Sequence, residues 1–106
     1  MAVLLALATG CGGGTKSAAA IEKCVREHVP AGTIDRVFTN TEEGVTSVNY
    51  FHGDAETDLS VFPSASDAEA AEKAEARLGD AHDRRLKNVL YSGGGVIEQA
   101  IVDCVG

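Results

Sequence analysis

The chain has 106 residues, 44% of them hydrophobic and 24% charged, with a formal net charge of −7. That length gives room for one domain, and no window approaches the ~20 apolar residues that a membrane-spanning helix needs. An acidic chain with no Trp is a poor nucleic-acid reader, because phosphate needs clustered Lys and Arg and bases need aromatic platforms. The one basic doublet, Arg84-Arg85, follows Asp80 and Asp83 and reads as solvated surface.

The N-terminus reads as an address. Ala2 to Ala8 is a run of Leu, Ala and Val, followed by Thr9-Gly10-Cys11 and then Gly12-Gly13-Gly14. A short apolar stretch ending in small residues suits a translocation signal, since the peptidase needs an unhindered chain. Ala8-Thr9-Gly10-Cys11 resembles the lipobox of bacterial lipoproteins. The resemblance covers residues 1–11 alone. It implies that residues 1–10 are a signal peptide and that the Cys11 thiol receives a diacylglyceryl group, with the cut just before it. Residues 11–17 then hold the lipidated Cys and a flexible tether, and 18–106 form the mature domain. Acylation of Cys11 on sulfur and amine, with chains such as palmitate, meets the two-signal requirement for stable anchoring. The expected location is the extracytoplasmic face of the cell membrane, with the membrane as one partner through Cys11.

Three cysteines are an odd number for an exported protein. Lipidation consumes Cys11 and leaves Cys24 and Cys104, which flank nearly the whole mature domain. An oxidising compartment and a small core favour a disulfide between them; the alternative is a pair of buried free thiols. Zinc is a poor rival, because there is no Cys-x-x-Cys and His28, His52 and His82 are scattered singly. The same missing motif argues against dithiol redox catalysis.

Ser17 to Val29 predicts the first helix, with Ile21, Cys24/Val25 and His28/Val29 at helical spacing, Ser17 as cap and Pro30 as stop. His28 on that stripe reads as a packed or rim residue rather than a ligand. Three strands follow, at Thr33–Thr39, Val45–Phe51 and Asp58–Phe62, with turns at Asn40–Gly44 and Gly53–Glu56. In the second strand Val48 and Tyr50 share one face, and Val45 and Phe51 the other. His52-Gly53-Asp54 is weak evidence of acid–base chemistry, since turn formation explains Gly and Asp.

Ser66-x-x-Glu69 reads as a capping box that opens a second helix, with Ala68, Ala71, Leu78 and Ala81 on its apolar stripe. Glu69, Glu72, Lys73 and Glu75 are expected to face water. The acidic run, and His82 between Asp80 and Asp83, read as solvated surface rather than a cation site. Leu86–Ser92 predicts a fourth strand. Gly93-Gly94-Gly95 lacks the Lys and Ser/Thr of a phosphate loop and serves as a turn. Val96–Val105 then predicts a terminal helix, with Gly106 as its stop.

The expected fold is α+β in the order α-β-β-β-α-β-α, a mostly antiparallel four-stranded sheet with helices on one face. No catalytic, cofactor or metal set emerges, and an enzyme is the less favoured reading. The favoured one is a lipid-anchored, non-catalytic envelope module that binds another protein or a small ligand, with apolar residues left on an uncovered sheet face as a candidate interface. The alternatives are a purely structural tether and a small hydrolase using His52 with Asp54 or Glu56.

Overall fold

The computed structural model describes residues 15–79 and 84–106. The segment expected to be a signal peptide, Cys11 and its following glycines, and His82 with Asp80, Ala81 and Asp83 lie outside the described residues. The elements run α1 (Ala18–His28), β1 (Arg36–Glu42), β2 (Val45–His52), β3 (Ala55–Val61), α2 (Ala65–Arg77), β4 (Arg84–Leu86), β5 (Val89–Ser92) and α3 (Gly95–Val105). They make a small α+β domain in which three helices pack on an antiparallel sheet.

The sheet has five strands rather than four, in the order β1-β2-β3-β5-β4. The stretch expected as one strand, Leu86–Ser92, belongs to a hairpin whose register pairs Leu86 with Val89. Lys87 and Asn88 form its two-residue turn, with Lys87 at a positive φ of 56°. Asn88 explains why the chain doubles back there. Its side-chain amide donates to Phe62 O at 2.9 Å and to Lys16 O at 3.2 Å, while Phe62 N donates to Asn88 O. Those bonds pin the N-terminal segment and the end of β3 to the turn. β1 also runs further than expected, to Glu42, because Glu43 and Gly44 suffice to close the β1–β2 hairpin. Both have positive φ, as a type I′ turn requires.

Strand alternation sorts the side chains cleanly. Val48 and Tyr50 of β2, Leu59 and Val61 of β3, and Val89 and Tyr91 of β5 point to one face and join a single buried cluster. Against them lie Ile21 and Val25 of α1 and Ile97, Ala100, Ile101, Cys104 and Val105 of α3. α1 begins where Ser17 accepts from Ala20 N at 3.1 Å, and it ends before Pro30 with Val29 already extended. Cys24 and Cys104 are joined by a disulfide, with Cα atoms 5.8 Å apart. Beside it, Lys16 Nζ donates to Cys104 O at 2.7 Å and supplies a partner for a carbonyl at the α3 terminus.

The helices do not all share that face. Leu90 sits between Val89 and Tyr91 and so points to the opposite side, where it is buried outside the main cluster. Ala68 of α2 is likewise buried and outside the cluster. Glu72 of α2 accepts from Arg85 at 2.9 Å, and Arg85 is the register partner of Leu90. α2 therefore covers the second face, at its β4–β5 end. Glu72 faces a strand rather than water alone, and Leu78, expected on the apolar stripe, is 79% exposed at the C-cap.

The cap of α2 also differs from expectation. Ser64, not Ser66, is the N-cap, accepting from Asp67 N at 3.1 Å; Ser66 lies inside the first turn. Both serines have an acidic residue three positions on. The earlier start adds helix directly after Pro63, including the Ala68 N to Ser64 O bond at 3.2 Å. In urea unfolding, Ser64→Ala is predicted to cost about 1 kcal/mol. Ser66→Ala should stay within about 0.5 kcal/mol of wild type. The reverse order would return the cap to Ser66.

Tyr50 is fully buried, and its hydroxyl has no hydrogen-bond partner among the described residues. Burial pushes its phenol well above the usual range; the Glu22 charge adds to this and Arg26 opposes it. The unfolded chain releases this proton near pH ~10, whereas the folded state retains it. Stability must therefore fall as pH rises past that point. Tyr50→Phe is predicted to lose less stability than wild type between about pH 9 and 11. Equal losses in denaturant titrations would contradict the assignment.

Candidate interaction surface

The half of the second sheet face that lies over β1–β3, away from α2, carries a distinct group of side chains. Register pairs Arg36 with Phe51, Phe38 with Asn49, Asn49 with Asp58, and Phe51 with Glu56. Directly opposed residues of antiparallel strands point to one side, so these six share a face. Phe38 and Phe51 meet edge to face at 5.5 Å between ring centroids. The Arg36 guanidinium lies 5.0 Å from the Phe51 centroid and 5.6 Å from that of Phe38. A cation over two rings holds them in place while leaving Phe38 52% exposed.

The adjacent edge of the patch is acidic. Asp58 accepts from Asn49 Nδ2 at 2.7 Å. The Glu56 carboxyl is held above its usual range, first by a side-chain hydrogen bond to Asp58, then by desolvation and by the Asp58 charge. Two carboxylates crowded beside an aromatic pair favour a cation at that spot, because it relieves their mutual repulsion.

The residues singled out in the sequence take other places. Cys24 and Cys104 bridge α1 and α3. His28 Nδ1 lies 2.9 Å from Cys24 O, 3.6 Å from Cys24 Sγ and 3.8 Å from Cys104 Sγ. This brings a Cys-His-Cys set together. Its two sulfurs are bonded to each other, so neither is the thiolate that a metal requires. His52 Nε2 lies 3.0 Å from Thr57 Oγ1, a bond that closes the β2–β3 hairpin on the core side. Glu56 pairs with Phe51 on the opposite face, so the structure does not bring His52 and Glu56 together. Asp54 is exposed in the turn.

Thr57 is completely buried, and Gly93 packs directly on it. A Cβ at Gly93 would lie 2.8 Å from Thr57 Cα, and its φ is +130°. The triple glycine is thus a close-packing device at its first residue, not an anion cradle. Of the patch itself, Phe51 was legible only as an apolar residue on the β2 face opposite Val48 and Tyr50. Arg36, Phe38 and Asp58 were not, since no face had been assigned to their strands; alternation anchored on Val37 and Leu59 would have found them.

A groove of about 300 Å³ runs between α1 and the β1–β2 hairpin, lined by Ala18, Ala19, Glu22, Thr39, Thr41, Thr46 and Val48. No described helix is long and apolar enough to cross a membrane. No protein-family model, no curated protein and no solved structure matches the chain.

Proposed function

We propose that the chain is an exported, lipid-anchored envelope protein whose domain is a non-catalytic interaction module. The exposed Phe38, clasped with Phe51 under Arg36 and bordered by Glu56 and Asp58, carries this reading. An aromatic pair held open to solvent with a charged rim has the make-up of a protein-binding centre. The acidic border and the net charge of −7 favour a protein partner that offers an apolar side chain next to Lys or Arg. Anchoring rests on Ala8-Thr9-Gly10-Cys11, and the Cys24–Cys104 bridge suits an oxidising compartment. The Gly-rich segment after Cys11 is short, so the partner is a component close to the membrane surface.

Anchoring is tested with an alkyne fatty acid. Label should enter the wild-type protein and be lost in Cys11→Ala; equal labelling of both would refute acylation there.

The binding face is tested with a photo-crosslinking residue placed at Phe38 and, as a control, at exposed Lys73 of α2. Adducts at position 38 should form in intact cells and fall at least about tenfold when Phe51→Ala is added, the loss of a central aromatic anchor. Because the bound cation prefers the ionised Glu56, they should also weaken as pH falls through the raised range of that group. Adducts that are the same from positions 38 and 73 would leave a purely tethering role.

A further inference from the structure

We propose that the free edge of β1 is a homodimerisation edge, across which two copies join their sheets around a two-fold axis at Thr39. β1 is terminal in the strand order, and no described strand pairs with its outer side. Alternate N–H and C=O groups along Arg36–Glu42 therefore point outward. Soluble proteins usually protect such an edge with Pro, Lys, a bulge or a very short strand. β1 has seven residues and neither Pro nor Lys, and it pairs with β2 without interruption from Arg36 to Glu42. It is an edge built to receive another strand.

The sequence of the strand selects the occupant. In an antiparallel pair of identical strands centred on Thr39, Arg36 falls opposite Glu42 of the second copy, Val37 opposite Thr41, and Phe38 opposite Asn40. The contact is isologous, so the Arg36–Glu42 pair forms twice. Moving the centre to Phe38 or Asn40 breaks both ion pairs. Charge complementarity thus specifies one register of a self-pair. The core-side groove adds to this, because Thr39 and Thr41 line it and are exposed at the edge. Half-exposed Val37 of the second copy would lie against Thr41 and extend the apolar layer over it.

The two-fold axis stands perpendicular to the sheet, so both Phe38–Phe51 patches end up on the same side. The dimer would offer two docking centres in one plane, but it does not depend on their having a partner. Seven paired residues bury less than a standard interface. Association is accordingly weak in solution and strengthened by confinement of tethered copies to a membrane surface.

The test uses the full chain. In cells, Thr39→Cys should give a disulfide-linked dimer under mild oxidation, because opposed Cβ atoms in such a pair lie ~4.5–5.5 Å apart. Cysteine at exposed Lys73 should not. In sedimentation of the full chain with Cys11→Ala, Arg36→Glu and Glu42→Arg are each expected to raise the dimer dissociation constant at least about tenfold, and the double variant to restore it. Thermal melts check that each variant is folded. Thr39→Cys that fails to cross-link in membranes overturns the proposal. So does a dimer indifferent to both charge reversals, since that would use another surface, or an edge covered by residues 1–14. Because Phe38 itself lies at the dimer edge, adducts from position 38 are sorted by mass into products with a second copy and products with another protein, so failure of the dimer and failure of the binding face remain distinguishable.

Discussion

The bond between Cys24 and Cys104 organises the molecule. It closes a separation of 80 residues and ties the first helix to the last on one face of the sheet. Ile21 and Val25 on one side of the bridge, and Ile97, Ala100 and Ile101 on the other, then form the roof over Val48, Tyr50 and Leu59. In a chain-entropy view, closing such a loop is worth about 4–5 kcal/mol. A small domain has only about 5 kcal/mol in total, so the staple decides whether the roof holds. Lys16 completes the junction by bonding the Cys104 carbonyl, which fixes the start of the described chain beside the bridge.

Among the described residues, committing α1 and α3 to one face leaves α2 alone to cover the other, and it covers only the end near β4 and β5. The rest of that face must be soluble yet carries Phe38 and Phe51. Arg36 resolves the conflict by stacking on both rings, a contact that needs no second layer. The acidic neighbours Glu56 and Asp58 keep the patch polar at its border. Uneven coverage of a two-faced sheet by the described helices is thus the structural origin of the proposed binding face, and no described strand pairs with the outer side of β1. Lys16, at the start of the described chain, lies beside the bridge on the core side, while the proposed binding face is on the opposite side of the sheet.

Much of this was legible in the sequence, for physical reasons that also mark where legibility ends. α1, β2 and α3 carry strong periodic patterns with Ser17, Pro30 and Gly106 as boundaries, and periodicity reports burial directly. The β4–β5 hairpin was hidden because Lys87-Asn88 contains neither Gly nor Pro. What turns the chain there is a set of long-range bonds from Asn88 to Lys16 and Phe62, which no local pattern encodes. Ser64 and Ser66 both satisfied the local rule for a cap, and the packing of the first turn chose between them. The side taken by α2 rested on Leu90, a residue that reads as core in either arrangement. For the candidate site, Phe51 was visible as an apolar residue on the face opposite Val48 and Tyr50, with nothing local to say which face the helices cover. Arg36 and Glu56 became meaningful only once strand register placed them beside it.

The most direct measurement is thermal unfolding of the full chain, with Cys11→Ala to remove the competing thiol, in the presence and absence of a reductant. If the bridge holds the two helices over the sheet, reduction should lower the melting temperature by at least about 15 °C, given 4–8 °C per kcal/mol for a domain of this size, or abolish the transition. A melting temperature that moves by less than about 3 °C on reduction, with both thiols shown to be free, would mean that the core stands without its staple.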